Sequence, residues 1–158
     1  MKLYIREKVF SWGDRFTVRD ALGNDKYVVA GEIFSLGKKL HIYDLRGREV
    51  ALIKQELMTF LPRFTVLSGG REIAQVKKEC SFLVPRYSIA GLGWEIEGSF
   101  WEHEYQITQR GQPIVTISKE WMTLGDSYEL EIRNPEDEIL ALAVVLTIDC
   151  VREAQNNN

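Results

Sequence analysis

Residues 139–148 read ILALAVVLTI, ten positions without a charge and with Thr147 as the sole polar side chain. Ahead of them stand Asn134, a capping residue, and Pro135, suited to a first helical position. The acidic run Glu136, Asp137 and Glu138 then complements the positive end of a helix dipole. With Arg152 near the other end, these signals predict a helix over 135–154. Such a helix has no water-facing side. A membrane span needs about 20 apolar residues, and this run breaks at Asp149 after about half that. A partner's groove would leave one face wet, and a packed sandwich with one covering helix is the alternative home. The interior of a barrel made by the same chain wets none. About twelve twisted strands close around a lumen wider than their side chains fill, and a helix about 10–12 Å across fits it.

The rest of the chain supplies those strands through a repeat. Gly23, Gly47, Gly70 and Gly111 are each followed nine residues later by a glutamate: Glu32, Glu56, Glu79 and Glu120. The next residue is Ile33, Leu57, Cys80 or Trp121. Each unit is a hairpin in which a turn glycine supplies φ > 0. Its return strand puts Tyr27, Val29, Ala51, Ile53, Ala74, Val76, Val115 and Ile117 on one face. Lys26, Lys54, Lys77 and the four glutamates fall on the other. Val50, Ile73 and Ile114 fall on that outer face too, so its first position calls for cover.

The same alternation predicts strands at 3–9, 15–20, 26–33, 38–44, 48–57, 63–68, 71–80, 85–89, 92–98, 101–109, 112–120 and 126–132, with the stretch 89–107 read as an inserted hairpin. Connections are short, as antiparallel neighbours require, and no linker divides residues 1–158. The expected architecture is therefore one domain, mostly β (α+β): a closed antiparallel β-barrel of about twelve strands enclosing a C-terminal hydrophobic α-helix at 135–154. Small inward residues, Ala51, Ala74 and Gly31 on the wall and Ala141 and Ala143 on the helix, let the two approach.

In order and spacing, "IYDLRGREVALIKQ", "LPRFTV" and the terminal hydrophobic helix make the chain similar to the LURP-one-related proteins, as a short bacterial-type member. The likeness runs from about Leu3 to Arg152. It implies the fold shared by Tubby C-terminal domains and phospholipid scramblases, a twelve-stranded barrel threaded by a helix. It also implies an affinity for membrane lipids, since Tubby domains bind phosphoinositide headgroups through basic side chains and scramblases act on lipids with calcium. The chain departs from those relatives. It has no N-terminal cysteine cluster, no acidic calcium loop of the D-x-[DN]-x-[DN]-G kind and no concentrated basic run. No binding residue is therefore carried over from them.

Little in the residues points to catalysis. His103 lies in "WEHEY", where alternation sends Glu102 and Glu104 to the opposite face, so no metal set forms; His41 is the other histidine. Cys80 and Cys150 lack a CxxC spacing or a neighbouring histidine and read as buried, inert thiols. The four glutamates recur once per hairpin, as structural carboxylates paired with Lys54 or Lys77 would, whereas a catalytic pair converges on one point. "GLGWEIEG" has the wrong glycine spacing for a dinucleotide loop. No catalytic residue, metal ligand or cofactor is assigned.

The net charge of −3 leaves no general field for nucleic acid, so an anion site must be local. Its candidates are Lys38 and Lys39 in a turn, Lys77 and Lys78 in a strand, and Arg63 and Arg86 after prolines in "LPRF" and "VPRY". Trp94, Trp101 and Trp121 read as packing mass in the wall or as an aromatic platform. The leading expectation is a non-enzymatic binding or scaffold barrel in the cytoplasm, peripheral at the membrane, that takes an anionic lipid headgroup or another small anion. An enzyme or carrier for a lipid-like ligand is the alternative. A protein-interaction module, homo-oligomeric through a strand face, is a third. The N-terminus alternates charge and apolarity and has no secretory-type core.

Overall fold

In a computed structural model, residues 1–6, 15–32, 35–80, 86–99, 104–120 and 127–156 are described. Twelve strands form one antiparallel sheet: β1 (Lys2–Arg6), β2 (Arg15–Asp20), β3 (Asp25–Gly31), β4 (Lys39–Asp44), β5 (Glu49–Gln55), β6 (Arg63–Ser68), β7 (Arg71–Glu79), β8 (Arg86–Ala90), β9 (Trp94–Ser99), β10 (Glu104–Gln109), β11 (Gln112–Glu120) and β12 (Ser127–Ile132). A 3₁₀ turn, Pro135–Asp137, leads into α1 (Glu138–Asn156). Every strand pairs with its neighbour in sequence except at one place, and β12 returns to pair with β1. That return is tied by the Met1 amino group on the Ile132 carbonyl at 2.7 Å and by the Ile132 N–H on Met1 at 2.8 Å.

The exception is the junction of β8 and β9, the two ends of the sheet. They follow one another through residues 91–93, and among the described residues no backbone ladder joins them. The barrel is thus nearly closed, with a seam at this turn. The expected inserted hairpin is β9 with β10. At Gly98 φ is +122°, and a Cβ there would stand 2.7 Å from the Glu104 carbonyl oxygen.

The helix occupies the lumen. Residues 141–151 are buried, with Leu142, Val144, Val145, Leu146 and Ile148 at 0% exposure. Thr147, the lone polar residue of the run, turns its hydroxyl back onto the Ala143 carbonyl at 2.6 Å, so it leaves no unmet donor in the core. Around the helix most strands offer two inward apolar residues, such as Leu3 and Ile5, Phe16 and Val18, Tyr27 and Val29, or Phe64 and Val66. The helix runs closest to β5, β6, β7 and β12. Ala51 and Ala74 lie on that wall, where small side chains let it approach; Gly31, at the end of β3, is only half-buried. Of the outer-face apolar residues, Ile114 is buried, and Val50 and Ile73 pack partly against the core.

Asn134 does not cap the helix with its side chain; its carbonyl instead accepts the Asp137 N–H at 3.0 Å within the 3₁₀ turn. The helix start is held by Glu138, which meets Lys26 of β3 at 2.6 Å. The regularity of the repeat also appears in the turns themselves. Asp20 and Asp44 each accept two backbone N–H groups on one carboxylate oxygen, from Leu22 and Asn24 and from Arg46 and Arg48, at 2.8–3.0 Å. Gly23 and Gly47 follow at φ +81° and +76°.

Candidate functional site

The meander gives the barrel two unlike ends. One carries the tight turns with Gly23, Gly47, Gly70 and Gly111, all at positive φ, and the entry of the helix. The other carries the longer connections, among them 56–62, and the C-terminal turns of α1. All six basic candidates fall at this second end, at the starts of β4, β6 and β8 and the end of β7.

They do not form one cluster. Arg63 lies opposite Lys77 in the β6–β7 ladder, and with Lys78 they line a groove of about 570 Å³ completed by Met58, Thr59, Phe60, Leu61, Glu79 and Cys80. Among the described residues none of the three cations has an ionic partner. The Arg63 Nε is shielded from solvent without an acceptor. Arg86, on β8, lies opposite Glu79 beside the groove, and Glu79 is the one carboxylate of the groove among the described residues.

Lys38 and Lys39 are engaged elsewhere. Lys39 meets Glu32 at 3.1 Å, and that contact, with a second from His41, holds the Glu32 carboxyl below its ordinary range. Lys38 faces the last turns of α1. Burial pushes the Glu153 carboxyl up, the Lys38 charge acts against it and Asp149 adds to it. Two of the repeated glutamates, Glu32 and Glu56, are structural in differing ways. Glu32 pairs with Lys39 and His41, not with Lys54 or Lys77, and Glu56 accepts the Thr65 hydroxyl at 2.7 Å. His41 also contacts Glu49 at 2.6 Å and stacks on Tyr43.

A second group lies inside the same end. Asp149, 6% exposed, accepts a hydrogen bond from the Tyr128 hydroxyl and one from Arg152 at 3.2 Å. Tyr105 and Tyr87 lie near enough to feel both charges. Burial, reinforced by the Asp149 charge, pushes the Tyr128 and Tyr105 hydroxyls well above the ordinary tyrosine range. A desolvated carboxylate with a phenol and a guanidinium on it is a satisfied internal network that fixes the helix in depth and rotation. Among the described residues no three His, Cys, Asp or Glu side chains gather as metal ligands.

Cys150 is buried and its thiol is pushed up by that burial, but Cys80 is exposed on the groove wall, contrary to expectation. The reason is its place one residue past the end of β7, where the inward alternation has ceased to apply. His103, Trp101, Trp121 and Ile33 lie outside the described residues; Trp94 is buried and so serves as packing mass. Sequence reasoning passed over two features that carried signals. The connection 57–61, LMTFL, is apolar where a surface loop is ordinarily polar. Asp149, read from sequence only as the end of the apolar run, is a charge set between the apolar Ile148 and Cys150.

A family model described as LURP-one-related matches residues 1–149. The protein named "Uncharacterized protein YxjI" of Bacillus subtilis (strain 168) is 36% identical over 151 residues, which covers 96% of this chain and 93% of that one. An X-ray structure of a protein from Arabidopsis thaliana superposes with a TM-score of 0.66 at 18% identity, over 96% of this chain and 90% of that chain. No helix of the described residues is long and apolar enough to cross a membrane.

Proposed function

The chain belongs to the LURP-one-related family, and from that premise we propose that it is a non-enzymatic binding barrel that takes a phosphate-bearing anion in the groove between β6 and β7. One observation carries the reading: Arg63, Lys77 and Lys78 converge on one groove with no ionic partner among the described residues, although the protein as a whole is acidic. Cations without an ionic partner, beside one carboxylate among the described residues, make a local positive field, and a guanidinium next to two ammonium groups suits a phosphate better than a lone carboxylate. In this reading residues 1–158 act as one Tubby-like domain, cytoplasmic and peripheral at the membrane. The rigid barrel supplies the platform, and the Asp149 network holds the helix beneath it.

The test is calorimetric titration of inositol hexakisphosphate, a soluble polyphosphate probe, at low ionic strength. Saturable binding is expected, weakening as salt rises and lost in Arg63→Ala/Lys77→Ala. Binding that survives this double substitution, or no binding at all, contradicts the reading.

A further inference from the structure

We propose that the connection 57–61 is a wedge that seats this end of the barrel in an anionic phospholipid bilayer, so that the phosphates met by the groove are lipid headgroups. The inference rests on the anion-binding reading above and adds to it the source of the anion. Met58 and Phe60 are as exposed as side chains can be, at 105% and 100%, and Leu57 is 52% exposed. Leu36, 87% exposed, belongs to the adjacent connection, which lies against them: a Cβ on Gly37 would stand 2.9 Å from Leu57 Cδ2. Four exposed apolar side chains thus share one edge of the barrel. By contrast, the exposed Leu22 and Leu45 sit singly in tight turns at the far end. Met58 adopts φ +59°, a left-handed backbone that non-glycine residues seldom take.

Charge complementarity selects the occupant. Arg63, Lys77 and Lys78 stand directly behind Met58 and Phe60 in the same groove. Apolar tips with basic residues behind them match the layering of a membrane surface, where acyl chains lie beneath anionic headgroups. A protein partner's apolar patch would have to be ringed with acidic residues to satisfy the same surface.

The experiment is co-sedimentation of the full chain with phosphatidylcholine vesicles that contain or lack phosphatidylserine. Binding is expected only with phosphatidylserine. Met58→Ser/Phe60→Ser should weaken it about tenfold or more, and Arg63→Ala/Lys77→Ala should weaken it about fivefold per cation at low salt. The wedge variant alters only exposed side chains, so it should melt as the parent does; Leu36→Ser/Leu57→Ser, two exposed positions outside the groove lining, should also weaken vesicle binding and bind inositol hexakisphosphate unchanged. Binding of that probe without binding to vesicles overturns the wedge and leaves the anion site standing; loss of both overturns both. Vesicle binding undiminished in the wedge variant, or a dimer that this variant converts to a monomer, also overturns the wedge.

Discussion

The Tyr128 hydroxyl, on an inward strand position, is hydrogen-bonded to Asp149, the single acidic residue in the enclosed part of the helix. With Arg152 on its other oxygen, Asp149 is a buried charge whose partners come from both wall and plug. Removing one member leaves the others desolvated and unpaired. Asp149→Ala should therefore cost about 3–5 kcal/mol, and Tyr128→Phe about 1.5–3 kcal/mol. Urea denaturation checks both; a loss under about 0.5 kcal/mol for Asp149→Ala would show that the network does not anchor the helix.

The helix itself should be indispensable. Leu142 has no exposed surface, and its truncation to alanine leaves a void between the helix and the barrel wall, which relaxes only partly around it. Leu142→Ala is expected to lose about 2–5 kcal/mol by chemical denaturation. A chain ending at Asn134 would expose the whole inward face of the barrel, and calorimetry should find no cooperative melting. A soluble, sharply melting truncation would contradict the plugged-barrel account.

Gly98 carries a separate prediction about the β9–β10 hairpin. A Cβ at this position meets the backbone of Glu104 and Tyr105 at 2.7 and 2.8 Å, and φ of +122° is a conformation side-chain-bearing residues avoid. Gly98→Ala should destabilise by about 1–3 kcal/mol. Gly23→Ala provides the comparison, since open space surrounds it and only its positive φ opposes the change.

Two carboxylates should give the stability–pH curve slopes of opposite sign. The backbone N–H of Arg48 is the largest influence holding Asp44 below its ordinary value of 3.8. Its stabilising contribution is complete above that value and is lost as pH falls through the lower folded one. Asp44→Asn keeps an acceptor oxygen and should flatten this acid limb. Glu153 is raised above 4.5 by burial, so the unfolded chain gives up its proton first. Stability then declines as pH rises from about 4.5 through the raised value, and Glu153→Gln should abolish that decline. Urea midpoints measured across pH 2–8 check both; parallel curves for variant and parent would refute the assignments.

The fold was legible because a period of two and a fully apolar helix are signals that burial writes directly into sequence. Every expected strand has its counterpart, and the expected helix at 135–154 is the 3₁₀ turn plus α1. What escaped depended on the end of an element or on tertiary placement. Cys80 follows its strand's last residue, so alternation no longer fixed its side. Closure is incomplete at β8 and β9 because pairing between successive strands depends on the geometry of their turn, which composition alone does not set. At the candidate site, topology brings the six cations to one end, but local pairing spends Lys39 on Glu32 and turns Lys38 toward the helix. Only side-chain geometry separates those from Arg63, Lys77 and Lys78.

The most direct test of the groove as the binding surface is amide chemical-shift mapping during titration with inositol hexakisphosphate. The account predicts that the largest shifts fall on Met58, Thr59, Arg63, Lys77, Lys78 and Cys80, while the turns at Gly23, Gly47 and Gly70 stay unmoved. Shifts centred on those turns, or spread evenly over the barrel, would contradict it.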